Sequence, residues 1–392
     1  MDSSPRKIIL PTIVLSQFFC TSLWFAGNAI LRDIIEAFNL EPGFLANLTS
    51  SVQFGFIAGT FVFAILTIAD RFSPSNVFFV SSILAAISNL GITIPTIGAG
   101  GLIASRFLTG FFLAGIYPVG MKISSDHYQK GLGKSLGFLV GALVVGTSFP
   151  HLLRSITTDL PWKAVVYSTS ALSLLGGIAM VSLVPDGPFR KRGKRLDLTS
   201  FFKDYSNKNF RSASLGYFGH MWEVYAFWAF VPVMLTAFSN RHPKLNLNIP
   251  LLSFVVIASG GFACVMGGIL SLRYGAKRIA TLALSGSCLC CLLSPVFLLG
   301  DSTALLMIFL FFWGMTVAAD SPLFSTLVAQ NAAEESRGSA LTIMNCIGFT
   351  VTIVSLQCTA LLLTFFNPEI VFTALAIGPI LGLIALIGNK SS

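Results

Sequence analysis

Twelve stretches of mostly apolar residues follow one another along this chain, each close to the 20 or so residues that a helix needs to cross the hydrocarbon of a bilayer. They are read near 8–31, 44–68, 75–96, 101–123, 135–157 and 162–184, and, after a polar break, near 212–237, 249–271, 278–299, 303–329, 338–364 and 368–388. Only 10% of the 392 residues are Asp, Glu, Lys or Arg, while 54% are hydrophobic. A soluble domain carries roughly 25% charged residues, so this chain has too few ionisable groups to cover a surface in water. The expected fold is an all-α polytopic membrane protein of about 12 transmembrane helices in two pseudo-symmetric six-helix bundles, 1–184 and 212–392, joined by a basic linker at 185–211.

The placement of charge sets the orientation. Taking alternate connections to face the same side, one side holds 18 of the 25 Lys and Arg, including Arg6, Lys7, Arg71, Lys130, Lys134, Arg273, Lys277, Arg278, Arg337, Lys390 and the run from Arg190 to Arg211. The other side holds Arg32, Arg154, Lys163, Arg241 and Lys244. Loops rich in Lys and Arg stay in the cytoplasm, which places both termini there. The net charge of +9 is spent on these loops and does not point to nucleic acid. Within the linker, 196–205 is expected to lie as a short amphipathic helix along the interface, and the rest is expected to be solvated. Met1–Lys7 leads into a span longer than a signal sequence, with no small-residue cleavage pattern behind it, so no cleavable signal is expected. The seven cysteines all lie in apolar stretches without a CxxC pair or a nearby His cluster, the pattern of buried free thiols rather than of a metal site or disulfides.

The two halves read as repeats. Leu23-Trp24-Phe25 in the first span aligns with Phe227-Trp228-Ala229 in the seventh at an offset of 204 residues, and Gly110 and Pro118 in the fourth align with Gly314 and Pro322 in the tenth at the same offset. Gly133 and Gly338, each in a short basic loop, differ by 205. Parallel repeats of six spans with a solute between them are one plan of secondary carriers.

Ionisable groups inside spans cost roughly 2.5–3.5 kcal/mol on insertion scales and so mark candidate functional positions. Those singled out here are Arg106 and Lys122 in the fourth span, His220 and Glu223 in the seventh and Asp320 in the tenth. Glu223 falls near mid-span and His220 one turn before it on a nearby face. Burial disfavours the charged form of a carboxyl, so Glu223 or Asp320 suits a protonation site, with His220 as a further candidate. The bland alternatives are a structural hydrogen bond for Glu223 and His220, and a Lys122 that snorkels to the interface. Arg106 is expected either to bind an anionic solute or to pair with an acid. Trp24, Tyr225 and Trp228 offer aromatic surface with polar handles, and Asn28 and Gln53 offer neutral polar contacts. Gly55 and Gly59, at GxxxG spacing, are expected to let helices pack closely. Gly133-Lys134-Ser135 imitates the end of a P-loop, but Tyr128 stands where the first glycine is required and no strand precedes it. The sequon at Asn47-Leu48-Thr49 sits at the end of a span and reads as coincidence, and no HExxH or GxSxG suggests an enzyme.

Several segments carry family motifs. The loop Leu66-Thr67-Ile68-Ala69-Asp70-Arg71-Phe72-Ser73 keeps the Asp-Arg core of the pattern G-x-L-x-D-R-x-G-R-R without its glycines, and Gly268-Ile269-Leu270-Ser271-Leu272-Arg273-Tyr274-Gly275 keeps the glycines with Leu272 in place of the acid. Arg106-Phe107-Leu108-Thr109-Gly110 is similar to R-x-x-x-G, and Pro161-Trp162-Lys163 opens the sixth span as that family's members do. Lys130-Gly131-Leu132-Gly133-Lys134 and Arg337-Gly338-Ser339-Ala340 are similar to its short basic loops, whereas Gly146 and Pro150 only weakly echo its drug-antiporter motif. On these residues the whole chain resembles the major facilitator superfamily. The resemblance implies a secondary transporter working by alternating access, with Asp70, Arg71, Gly268, Arg273 and Gly275 in gating loops. With the intramembrane charges, it implies proton-coupled movement of a small polar or anionic organic solute. Proton-driven efflux of amphipathic drugs or metabolites is the alternative, on the aromatic seventh span. Nitrate porters hold their anion on arginines of the second and eighth spans, and neither span here contains one. No cofactor beyond the proton is expected. The expected partners are the solute and the bilayer, and the expected state is a monomer in a bacterial inner membrane.

Overall fold

The computed structural model describes residues 7–388 except 42, 129–131, 191–196 and 336, with the side chains of 132–134, 198 and 200 also left out. Arg6, Lys130, Lys191, Arg192, Lys194, Arg195 and Lys390 of the basic loops therefore lie outside the described residues, as does the side chain of Lys134. The described residues form helices joined by short turns, and eleven helices among them are long and apolar enough to cross a membrane. A twelfth, shorter apolar helix precedes these. The chain divides into two compact units, Met1–Leu196 and Asp197–Ser392.

In the first unit the elements are α1 (Ile9–Thr21), α2 (Ala26–Ala29), α3 (Leu31–Phe38), α4 (Phe44–Ile65), α5 (Ile68–Arg71), α6 (Pro74–Leu90), α7 (Gly98–Leu113), α8 (Tyr117–His127), α9 (Leu132–Ile156) and α10 (Lys163–Leu183). The second unit holds α11 (Leu198–Tyr205), α12 (Lys208–Arg241), α13 (Ile249–Tyr274), α14 (Ala276–Leu298), α15 (Thr303–Ala319), α16 (Ser321–Asn331), α17 (Arg337–Phe365), α18 (Pro368–Val371) and α19 (Ile377–Gly388). Polar side chains open several of them. Asn207 accepts from Asn209 N before α12, Asn248 from Leu251 N before α13, and Ser302 from Leu305 N before α15. These bonds satisfy backbone donors that a helix start leaves open.

The spans expected at 8–31, 101–123 and 303–329 are each broken. The fourth span turns at 114–116 and restarts with Pro118 in the first turn of α8; the tenth turns at Asp320 and restarts with Pro322 in the first turn of α16. Proline has no N–H to contribute and its fixed φ suits a first helical turn, so both restarts follow from sequence. The first span breaks at Ser22–Phe25, where there is no proline. There the backbone tightens to bonds three residues back, Leu23 N to Cys20 O at 3.3 Å and Trp24 N to Thr21 O at 3.0 Å. The corresponding stretch of the seventh span, around Trp228, runs unbroken through the 34 residues of α12.

Within each unit the tightest packing is backbone on backbone. A Cβ built at Gly110 of α7 would sit 2.0 Å from the Val52 carbonyl of α4, and one at Gly314 of α15 would sit 2.2 Å from the Val256 carbonyl of α13. Both the glycine and its carbonyl partner recur at the 204-residue offset, so the repeat read in the sequence is a repeat of contacts. Gly55 and Gly59 press against the backbone of Phe107 and Phe111 in the same interface, which is the close packing their spacing suggests.

The amphipathic helix expected at 196–205 is α11. Asp197 caps it by accepting from Thr199 N at 2.9 Å, and buried Phe201 stacks on Tyr205 and meets Phe210 edge-on. At the start of the linker Pro185, Asp186, Pro188 and Phe189 are exposed, while Arg190 is tied to the first unit. Arg190 donates to the carbonyls of Phe72 (2.7 Å) and Asp70 (3.2 Å) and pairs with Asp186, which accepts from Ser73 Oγ at 2.7 Å. The polar backbone of the turn after α5 needs donors, and Arg190 supplies them.

Candidate functional site

In the first unit the polar centre is built on the break in the first span. Arg106, wholly buried on α7, donates from Nη2 to the carbonyls of Leu23 (3.0 Å) and Trp24, and from Nη1 to Asn89 Oδ1 of α6 (3.1 Å). The guanidinium fork thus takes the acceptors that the turn at 22–25 presents, which is why the helix can open there without a proline. Within its own unit the partners of Arg106 are carbonyls and an amide, and among the described residues of that unit no carboxylate lies within ion-pair distance of it. Its Nε–H has no hydrogen-bond partner among them.

Asn89 is held in turn by Thr169 Oγ1 (3.2 Å) and Ser170 Oγ (3.0 Å) of α10. Trp24 is buried with its ring 5.0 Å from Phe56. Asn28 is occupied by a bond to Thr49 Oγ1 at 2.8 Å, so its polarity is used within the bundle. Gln53 and Gln17 are wholly buried, and neither end of either amide has a partner among the described residues. Buried Thr147 and His151 of α9 likewise keep Oγ1 and Nε2 without one.

The second unit centres on Glu223. Its Oε1 accepts from Trp313 Nε1 of α15 at 2.6 Å and from Cys291 Sγ of α14 at 3.3 Å, while Oε2 accepts from Ser287 Oγ at 2.8 Å. Indole N–H can only donate, so this cage presents neutral donors from two neighbouring helices to one wholly buried carboxyl. One turn earlier on α12, His220 Nδ1 lies 2.9 Å from Asp320 Oδ1, and its Nε2 lies 2.8 Å from Ser321 Oγ. A neutral ring that donates from Nδ1 accepts the serine proton at Nε2, so His220 bridges the two residues at the break in the tenth span. Tyr225 and Trp228 meet edge-on at 5.0 Å, with Phe349 of α17 5.3 Å from the tyrosine ring. No group of residues able to hold a metal ion occurs among the described residues.

Residues 13–355 match the family model described as Major Facilitator Superfamily. The chain belongs to this superfamily. Its fold is similar to that of the nucleoside transporter NupG, solved in a mutant form: the TM-score is 0.74 over 97% of this chain and 100% of that one, at 14% identity. No curated protein matches the chain.

The superfamily's loop motif has two different outcomes here. In the first copy α4 stops at Ile65 and Thr67 adopts φ 50°, a left-handed conformation unusual for a β-branched residue. Asp70 Oδ1 then lies 3.0 Å from Lys122 Nζ of α8, and Asp126 Oδ2 lies 3.6 Å from the same ammonium. Lys122 therefore joins this cluster, with two carboxylates within its reach. The Asp70 pair seen here ties the loop to a helix of its own unit. Arg71 donates to Thr67 Oγ1 at 3.1 Å and is exposed. In the second copy α13 runs on to Tyr274 and the chain turns at Gly275, whose φ of 86° calls for glycine. A Cβ at Gly268 would meet nothing within 4 Å, so no close approach explains that glycine within its unit. Arg273 lies over the Tyr274 ring at 5.2 Å.

Asn89, Trp313, Ser287, Cys291, Ser321 and Asp126 were not singled out by sequence reasoning. For all but Asp126 the signal is a polar side chain in an apolar span; Asp126 stands one turn after Lys122 on α8.

Proposed function

We propose that this chain is a secondary carrier that moves a small polar or anionic organic solute by alternating access, coupled to protons. The observation that carries this reading is Glu223, a wholly buried carboxyl held by neutral donors and by no cation among the described residues. A carboxyl in such a cage can take up or release a proton without stranding a buried countercharge. Asp320, bridged through His220 to Ser321, is a second acid of the same unit for the same task. On the first unit, Arg106 holds a buried positive charge that no acid of that unit neutralises, and Gln17 and Gln53 keep amide groups for a polar ligand. These favour a solute with oxygen acceptors and, in one form, negative charge. The distribution of Lys and Arg supports cytoplasmic termini, and a monomer in a bacterial inner membrane is part of the same proposal.

The test is solute uptake into proteoliposomes under an imposed pH gradient, with a panel of organic acids, nucleosides and aromatic cations. Acids or polar neutral solutes are expected to move with the gradient, and Glu223→Gln is expected to abolish gradient-driven uptake while sparing solute exchange at equal pH. A wild-type protein that moves nothing with the gradient, or a Glu223→Gln, Asp320→Asn pair that transports normally, overturns the coupling. Movement of aromatic cations alone moves the reading to drug efflux.

A further inference from the structure

At the break of the tenth span three side chains form a line from a hidden acid to a reachable hydroxyl. Asp320, between α15 and α16, is wholly buried and His220 of α12 is 1% exposed, whereas Ser321, the first residue of α16, is partly exposed. His220 Nε2 lies 2.8 Å from Ser321 Oγ, and Nδ1 lies 2.9 Å from Asp320 Oδ1. The second contact has hydrogen-bond length without hydrogen-bond alignment, and a turn of the ring about its Cβ–Cγ bond aligns it. The break itself is pinned from α13: Cys264 Sγ donates to the Ala318 carbonyl at 3.0 Å, and a Cβ at Gly267 would sit 2.6 Å from the Ala319 carbonyl. The other buried titratable side chains of the helices packed here are Tyr217, Glu223 and Tyr225 of α12, Cys264 of α13, Cys288, Cys290 and Cys291 of α14 and Cys346 of α17. None of them is a cation, so among the described residues of the unit His220 is the one base within ion-pair distance of Asp320.

We propose that His220 is a tautomeric relay, through which the protonation of Asp320 sets what the Ser321 hydroxyl offers to a solute. With Asp320 ionised, Nδ1 carries the ring proton toward the carboxylate and Ser321 donates its hydroxyl proton to Nε2. The hydroxyl then has only lone pairs to present outward. A proton arriving at Ser321 Oγ moves the line on by one place. The original Oγ–H proton passes to Nε2, the Nδ1–H proton passes to Asp320, and the arriving proton stays on Oγ. Acid and ring are then both neutral, Nε2–H donates to Ser321 Oγ, and the hydroxyl proton is free to donate outward. The net change is one proton gained by Asp320, with no imidazolium left buried. Imidazole suits the task because its two nitrogens can exchange donor and acceptor roles while the ring stays neutral. A direction of coupling follows. A solute oxygen finds a donor at Ser321 only when Asp320 holds its proton, so each strengthens the binding of the other, and both travel the same way. This transport consequence rests on the proton-coupled reading above; the relay does not.

The experiment is nitrogen-15 NMR of the full chain in lipid bilayers with ring-labelled histidine, the His220 signals being those lost in His220→Gln. Ring nitrogen shifts separate the two neutral tautomers from each other and from imidazolium. As pH falls, the Nδ1–H form of His220 is expected to give way to the Nε2–H form without passing through imidazolium, and Asp320→Asn is expected to hold one tautomer at every pH. An imidazolium signal, a single tautomer throughout in the unmodified protein, or a switch that survives Asp320→Asn overturns the relay. Should Asp320→Asn fail to fold, Ser321→Ala decides: its Nε2 signal is expected to lose the hydrogen-bond shift, and an unmoved signal overturns the assignment of Ser321. In proteoliposomes, organic acids and nucleosides are expected to accumulate on the side toward which protons flow. Ser321→Ala is expected to lose that accumulation and Ser321→Thr, which keeps the hydroxyl, to retain it. Accumulation against the flow of protons overturns the linkage. A tautomer switch in a protein that moves no solute with the gradient keeps the relay and defeats the transport reading, whereas gradient-driven uptake without the switch defeats the relay alone.

Discussion

Arg106 illustrates how one buried side chain shapes a helix it does not belong to. It donates to the Trp24 carbonyl and adds a bond to the Leu23 carbonyl, which otherwise accepts only a long bond from Ala26 N at 3.4 Å. Lysine at that position would keep the charge and lose the fork, so Arg106→Lys is expected to cost about 2 kcal/mol, for buried acceptors left without donors. The check is a lowered unfolding midpoint in detergent, against an unchanged midpoint for Arg71→Lys at its exposed site. Thr67 gives the opposite sign. Its left-handed backbone is strained, so Thr67→Gly is expected to raise stability by up to about 1 kcal/mol, less the bond from Arg71. Arg106, Glu223 and Asp320 were legible in the sequence because a charge inside an apolar span is costly and therefore conspicuous. Their partners were not: Ser287, Cys291 and Trp313 are ordinary span residues until the neighbouring helices are placed, and the carbonyls that bind Arg106 leave no mark in a side-chain sequence.

At the level of elements, glycine decides which helices touch. Gly110 and Gly314 each face a valine carbonyl at a distance no Cβ can share. Gly110→Val and Gly314→Val are both expected to prevent close packing of α4 with α7 and of α13 with α15, costing more than about 3 kcal/mol apiece. Fluorescence-detected gel filtration of tagged variants would show aggregated or absent protein in both cases, while Gly268→Ala, with open space around its Cβ, should run as the unmodified chain does. Span positions were legible from apolar runs, and the breaks at 114–116 and Asp320 carried a proline signal in Pro118 and Pro322. The break at Ser22–Phe25 carried none, because its cause lies in another helix. The same limit applies to the linker: its charge was evident, but the seat of Arg190 on the carbonyls of Asp70 and Phe72 depends on a loop more than a hundred residues away in sequence.

For the whole molecule, the sequence repeat and the structural repeat coincide at one offset, yet the units are not copies in chemistry. The first carries a buried cation on a broken span, and the second carries one buried carboxyl, Glu223, on an intact span and another, Asp320, at the break of the tenth. The loop charges predict an orientation, and reporter fusions check it: a phosphatase joined after Leu245 is expected to be active outside the cytoplasm, and one joined at the C-terminus to be inactive. The intact span has a geometric consequence of its own. At 1.5 Å per residue the 34 residues of α12 measure about 51 Å, more than the 40–45 Å of a bilayer with its headgroups. It must lean or protrude, and a rod of that length is a ruler set in the membrane. A lean of 10° about its centre would carry each tip sideways by about 4 Å, so spin labels near Lys208 and Arg241 would read, as opposite displacements, any rocking of the unit that holds Glu223.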